Sequence, residues 1–480
     1  MYIPLNQLVN SFFTNKLCPM KTNLLLRTLL ITSLGIGLFT CQKDDDFIAV
    51  ETPQASTYSA GVPLEWFKVF EIVDRSAPGY RPPAAARALA YIGLAGYEAA
   101  VQGMPGNKSL AGVLSGLSMP VIAPNTEYHW PTAVNAAYFS MFQNFYPHLQ
   151  SFENVLIQNR NQLFEIEFAR TVDPEVFDRS KAFGVAVANA VYEWSKTDAA
   201  GHNAYLNPRP SSYIPPVGPG LWQPTKPDFT PALFPYWGKV RPFGMNSTDL
   251  VARQPLPFSE DPNSQFYIQA KETQNWVNKI KSGKDEESHW IAEFWSDDFY
   301  KVTFTPPGRW FAIANQVVTN EKPSLAKAVE LYAKMGMALA DAGIAIWNSK
   351  FLYNVERPVH YINRNFDANW ESIMNNPYSG VTGITPEFPA YPSGHSGFGG
   401  AAATVLTDMF GYQYRMTDNC HKDRTEFRGT PRTFDTFIEM AVENAYSRIP
   451  MGVHFRMDCD EGLRLGYLAG KRVLELPWNQ

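Results

Sequence analysis

The stretch EFPAYPSGHSGFGG, Glu387 to Gly400, sets a proline, a serine, a glycine and a histidine in a row, then runs through glycines into AAATVLTDMF. Pro392 reads as the start of a helix whose first backbone amides point outward. Such amides hold oxyanions, and Ser393 adds a hydroxyl to them. Gly394 lets an anion approach the backbone closely. His395 then stands beside that anion, able to exchange a proton. The plainer reading is a loop-to-helix junction with a capping serine and an incidental histidine.

Two further blocks carry chemistry. A long helix, expected from about Pro323 to Lys350, runs into WNSKFLYNVERP. Lys350 and Arg357 lie seven residues apart, and Pro358 disfavours helix at Arg357, so the arginine is expected just past the helix end. Alone, a Lys and an Arg there would only complement the helix dipole. The second block is NAYSRIPMGVHFRMDCDEG. His454 and Asp458 are four residues apart, so on a helix they share a face and can hydrogen-bond. A carboxylate on one ring nitrogen fixes the tautomer and makes the other nitrogen a better nucleophile or ligand. An exposed His–Asp pair on a helix face is the plain alternative. Taken together the blocks supply two arginines, a lysine, a serine with helix-terminal amides and two histidines. That set suits a tetrahedral, highly charged oxyanion, whose oxygens match guanidinium fork geometry.

The rest of the chain bounds the class. It has 480 residues, 45% hydrophobic and 18% charged, which is ample for a large core. A net charge of -5 gives no basic field for nucleic acid. PAAARALAYIGLAGYEAAVQG (83–103), PTAVNAAYFSMFQNFYPHL and SKAFGVAVANAVYEWSK all have helical apolar spacing, and alternating β patterns are scarce. Residues 206–262 carry proline every few positions and many aromatics, so they read as a long ordered loop wrapped over helices. Trp222 and Trp237 within it either line a site entrance or pack the loop. The fold class is therefore mainly α, one catalytic domain over residues 63–480.

The blocks Lys350-x6-Arg357-Pro358, Pro392-Ser393-Gly394-His395 and Ser447-Arg448-x5-His454-x3-Asp458 resemble, in order, the shared signature of vanadium-dependent haloperoxidases and type-2 phosphatidic acid phosphatases. The likeness to bacterial haloperoxidase-type chains extends to ARALAYIGLAGYEAA, EFWSDDF…TPPGRW and Trp347, over roughly residues 63–475. The resemblance implies a helical-bundle fold of the haloperoxidase/acid phosphatase type. It implies that Lys350, Arg357, Ser393, Gly394 and Arg448 bind the oxygens of vanadate, or of phosphate in the same site. His454 would bond to vanadium or attack phosphorus, His395 would be the acid–base residue, Lys350 would polarise peroxide, and Asp458 would partner His454. Phe388, seven before His395, stands where chloro- and iodoperoxidases resemble it with phenylalanine, and with Trp347 it is a substrate-pocket candidate.

The expected activity is vanadate-dependent oxidation of iodide or bromide by hydrogen peroxide to hypohalous acid. No apolar run outside the N-terminal one approaches the ~18 residues of a membrane span, unlike the lipid phosphatases. A phosphatase working through a phosphohistidine at the same site is the alternative. An oxyanion or glycan binder without turnover is a third reading, which the complete acid–base and nucleophile set opposes.

Residues 1–40 read as an export signal: Lys21 and Arg27 precede the apolar run Leu29–Phe39, and Met20 is a plausible start. Cys41 with QKDDD behind it resembles the lipidated cysteine of an outer-membrane, surface-exported lipoprotein, with residues 41–62 as its tether. An ordinary signal with a chance cysteine is the other reading. That lipid is the one membrane contact expected. In an exported chain Cys420 and Cys459 form either a disulfide or two unpaired thiols.

Overall fold

The computed structural model describes residues 52–479. The export signal read at residues 1–40, Cys41 and the first part of the tether lie outside the described residues. The helices among the described residues are α1 (Gly61–Ser76), α2 (Pro82–Glu98), α3 (Trp130–Phe145), α4 (Ser151–Thr171), α5 (Pro174–Lys196), the short α6 (Ala199–His202), α7 (Gln265–Lys281), α8 (Glu286–Phe294), α9 (Pro306–Glu321), α10 (Leu325–Tyr353), α11 (Pro358–Asn365), α12 (Gly394–Phe410), α13 (Phe437–Tyr446) and α14 (Arg456–Leu474). The only strands described are β1 (Met416–Asp418) and β2 (Arg432–Phe434), an antiparallel pair with Thr417 opposite Thr433. Among the described residues no helix is long and apolar enough to cross a membrane.

Helix α10 is the axle. Ser324 caps it by accepting from Lys327 N, and Asn354 ends it in the left-handed conformation at φ 48°. One side packs along the alanine-rich α2, where small side chains let two buried helices approach closely; another meets α12 and α14. On the N-terminal side α3 packs on α5, and α1 on α9. Trp66, Trp130, Trp310 and Trp347 are all enclosed in one continuous core.

The packed chain begins before Pro63. Ala55 is buried and Trp130 Nε1 donates to Pro53 O at 2.7 Å, so the later part of the expected tether belongs to the fold. Its polar, small-residue composition concealed that backbone carbonyls and one alanine do the docking.

The proline-rich segment is irregular and ordered, held on α10 by side chains of that helix. Asp341, fully buried, accepts from the amides of Phe243, Gly244 and Met245 at 2.7, 2.7 and 2.8 Å. Trp347 Nε1 reaches Leu233 O at 3.2 Å and Asn348 Nδ2 reaches Leu250 O at 2.9 Å. Proline cannot supply a ladder of its own amides, so the axle supplies partners.

Helices α12 and α14 touch through glycine. A Cβ added at Gly466 would lie 2.1 Å from Gly397 O, and one at Gly462 would lie 2.5 Å from Ser393 O. This contact brings the start of α12 against the start of α14. Gly462→Ala should therefore force the two helix starts apart and destabilise the fold by roughly 1–3 kcal/mol, read as a lowered thermal unfolding midpoint; an unchanged midpoint would show that the contact is not tight.

Candidate active site

The three sequence blocks converge. Ser393, the N-cap of α12, has its hydroxyl oxygen 3.4 Å from Ser396 N, and its own amide donates to Asp458 O at 2.8 Å. The helix begins at Gly394 rather than at Pro392, which sits before the cap in a cis peptide with Tyr391. The first-turn amides left without a helical acceptor are thus those of Gly394 and His395.

His454 is not on a helix. It precedes α14, and Asp458 is in that helix's first turn, where Asp458 Oδ2 accepts from Phe455 N at 2.9 Å. The expected pair still forms, at 2.9 Å between His454 Nδ1 and Asp458 Oδ2. On the other side of the ring, Arg357 Nη1 lies 3.1 Å from His454 Nε2. A guanidinium only donates, so Nε2 is the acceptor and Nδ1 carries the proton. Two contacts therefore fix one tautomer, with the Nε2 lone pair turned to the cations.

Three cations are enclosed here. Lys350, on the last turn of α10, donates to Pro389 O and Ala390 O at 2.7 and 2.9 Å. Arg357, just past α10 as expected, donates from Nε to Phe388 O and from Nη1 to Val453 O, both at 2.8 Å. Arg448 Nη1 donates to Trp295 O at 3.1 Å. All three are 0% exposed. Burial lowers Arg357 to about 9 and Arg448 to about 10, and pushes Lys350 well below its usual value. The one carboxylate on this cluster in the three blocks, Asp458, is raised to about 7 by its own burial, against the pull of Phe455 N, Lys350 and Arg357.

The unpartnered buried atoms tell what the cluster is for. Arg357 Nη2, Arg448 Nε, Arg448 Nη2 and His395 Nε2 have no hydrogen-bond partner. The three guanidinium atoms are orphaned donors, costly in a closed fold, and cations without counter-charge are more so, whereas the neutral His395 presents Nε2 as an unpartnered lone pair. A polyvalent oxyanion fits this donor set on both counts. Among the described residues no group of three or more His, Cys, Asp or Glu is placed to hold a metal cation.

A cavity of about 290 Å³ opens onto the cluster, lined there by Trp347, Phe388, Gly394, His395, Arg448 and His454. Lys350, Arg357 and Ser393 are fully buried behind this lining. The two pocket candidates are in place: Trp347 and Phe388 have ring centres 4.9 Å apart, and Phe388 lies 4.9 Å from Lys350 Nζ and 5.0 Å from the Arg357 guanidinium carbon. Trp222 and Trp237 are not at the entrance. They are 0% and 2% exposed and pack the loop onto its helices. Cys420 and Cys459 are free thiols.

Several contributors escaped the sequence reading. The backbone of Asp297 hydrogen-bonds the His395 ring, and its carboxylate sits close enough to Arg448 to stabilise that charge. Around the mouth Arg81 pairs with Asp298 and Arg209 with Glu387. The acidic doublet in EFWSDDF was the available signal for the first pair.

His395 and His454 are both held well below 6.5, first by burial and then by the neighbouring cations. A depressed histidine stays neutral in the fold while the unfolded chain takes up a proton below about 6.5, so stability falls as pH falls through that value. Replacing His454 by Gln should remove about 1.4 kcal/mol per pH unit from this acid sensitivity, measured as the pH dependence of unfolding between neutral and mildly acidic buffer. An unchanged slope would mean that His454 is not buried neutral.

Comparison with known proteins bears on the whole assembly. The family model described as "VCPO second helical-bundle domain" matches residues 330–477, a span containing all three blocks. Among solved structures, a bacterial vanadium-dependent iodoperoxidase is similar with TM-score 0.75 and 28% identity, over 87% of this chain and 96% of that one. Holo and apo forms of a bacterial vanadium-dependent chloroperoxidase share the fold at TM-scores of 0.59 and 0.56, with 16% and 18% identity, over 84% of this chain and 93% and 96% of theirs. No curated protein matches in sequence. In its helical fold, its matching second bundle and its convergent oxyanion site, the chain is similar to the vanadium-dependent haloperoxidases.

Proposed function

We propose that the protein is a vanadate-dependent peroxidase that oxidises halide, iodide or bromide, with hydrogen peroxide to hypohalous acid. The observation that carries this is the buried set of three cations at a tautomer-fixed His454, with guanidinium nitrogens of Arg357 and Arg448 left unpartnered. The likeness to an iodoperoxidase over most of both chains supports it.

Arg357, Arg448 and the amides of Gly394 and His395 would hold the vanadate oxygens, and His454 Nε2 would be its protein ligand. When bound, vanadate supplies the Lewis-acid centre at which peroxide becomes electrophilic toward halide. The chain's residues do the rest. Asp458 keeps the proton on Nδ1 and the lone pair on Nε2. His395 Nε2, neutral and unpartnered, takes the proton of incoming peroxide. An anion beside Lys350 favours its charged form, which leaves a third N–H to polarise a substrate oxygen. Trp347, Phe388 and Phe398 keep the approach apolar and suit a large, weakly hydrated halide.

A phosphatase reading has one specific observation in its favour. Asp458 orients His454 as a nucleophile would need, and the same donors fit phosphate. The export reading of residues 1–41 belongs to the proposal too, and would put the activity outside the cytoplasm.

The test is vanadate titration of the purified protein with peroxide-dependent iodide and bromide oxidation as readout, beside phosphate-ester hydrolysis by the vanadate-free protein. Vanadate-dependent halide oxidation is expected. His454→Ala should lower it by ~10²-fold or more, and Arg448→Ala should weaken vanadate binding by roughly tenfold to a hundredfold. Ester hydrolysis inhibited by vanadate, with no halide oxidation, would overturn the peroxidase reading.

A further inference from the structure

Helix α4 has two apolar faces. The inner one, with Ile157 and Phe168 buried, packs on α1, α3 and α5. The outer one exposes Phe152, Val155, Leu163 and Ile166, at 63%, 53%, 59% and 46% of their full surface. At 100° per residue these four lie within about 40° of the direction of Asn159, so they form one straight seam centred on that residue. Lone exposed apolar residues are ordinary; a seam over four turns is not.

The seam is a palindrome. Read from Asn159 outward, Val155 and Leu163 are each four residues away, and Phe152 and Ile166 are each seven away. Turned end over end, the helix presents the same pattern. We infer that this face is the interface of a two-fold dimer, formed by antiparallel pairing of α4 with α4 of a second copy of this chain. In it Phe152 meets the partner's Ile166, Val155 meets the partner's Leu163, and Asn159 meets the partner's Asn159 on the symmetry axis. Isologous pairing of this kind requires one self-complementary surface, which the palindrome supplies. A single polar residue within an apolar helix seam fixes register, which is the part Asn159 plays. Of the charges near the seam, Arg160 is held by Glu65 and Glu165 by Lys181, each at 2.8 Å within the chain, and the exposed Glu167 and Arg170 stand beyond Ile166 at one end of it. Two 21-residue helices packed this way bury on the order of 1,000 Å², the lower bound for a specific interface, so the dimer is concentration-dependent.

The experiment is sedimentation velocity of the full chain over a wide concentration range. A monomer–dimer equilibrium is expected. Leu163→Glu should abolish the dimer, while Val217→Glu, at a more exposed loop position, should leave it intact. Circular dichroism checks that each variant is folded. Geometry gives a sharper reading that needs no disruptive change. In a Cys18→Ser, Cys41→Ser background, Asn159→Cys should cross-link to itself under mild oxidation and Phe152→Cys should not, because only position 159 lies on the axis. A chain that is monomeric throughout overturns the inference, as does a dimer that survives Leu163→Glu without cross-linking through position 159. Binding of the monomer to phosphatidylethanolamine–phosphatidylglycerol vesicles, lost in Leu163→Glu, would assign the face to lipid and overturn it equally.

Discussion

The arrangement of this molecule depends on keeping three cations out of water without a matching set of carboxylates. Lys350, Arg357 and Arg448 lose their hydration entirely, and what they receive in return is mostly backbone carbonyl: Pro389, Ala390, Phe388, Val453 and Trp295. Carbonyls satisfy hydrogen-bond geometry and leave net positive charge standing. Had the chain used Asp or Glu at those five places, the fold would be more comfortable and the site would repel the ligand. The residual charge is therefore stored binding energy for an anion, held rigid by a surrounding core that does not adapt.

Holding that charge in place requires helix starts, loops and a helix end to meet within a few ångströms. The glycine contact between α12 and α14 sets the distance between His395 and His454, and the carbonyl of Asp458 on Ser393 N ties the two starts together. The end of α10, stopped by Asn354 in a left-handed turn, releases the chain so that Arg357 swings in behind His454. The straps from Asp341 and Trp347 to the proline-rich segment close the far side of α10.

Much of this was legible in the sequence, because the site's side chains are charged or nucleophilic and stand in compact blocks. Lys350, Arg357, Ser393, Gly394, His395, Arg448, His454 and Asp458 all converge as read. What was not legible is carried by backbone. The carbonyls of Trp295 and Asp297 act through atoms every residue has, so no side-chain pattern announces them. The same holds for the packing of residues 52–62, which rests on a carbonyl at Pro53. Local geometry was misjudged where spacing alone was used: His454 and Asp458 pair across a helix start, since the pairing distance is reached there as well as along a helix face. For Trp222 and Trp237 in the proline-rich loop, packing onto the helices was one of the two readings the sequence offered, and their burial selects it.

The paired charges at the cavity mouth have a kinetic consequence. Arg81 with Asp298 and Arg209 with Glu387 cancel one another locally, and Lys226 and Asp228 both line the same cavity. An ion arriving from solution meets a rim that is close to neutral, and the cationic cluster beyond it is felt only inside the low-dielectric throat. Long-range steering is thus small, and encounter is governed by diffusion and by the ease with which the arriving ion sheds its water. Any anion that enters sheds part of its water at this rim, so the neutral mouth weighs ions by their hydration before the cations act on them.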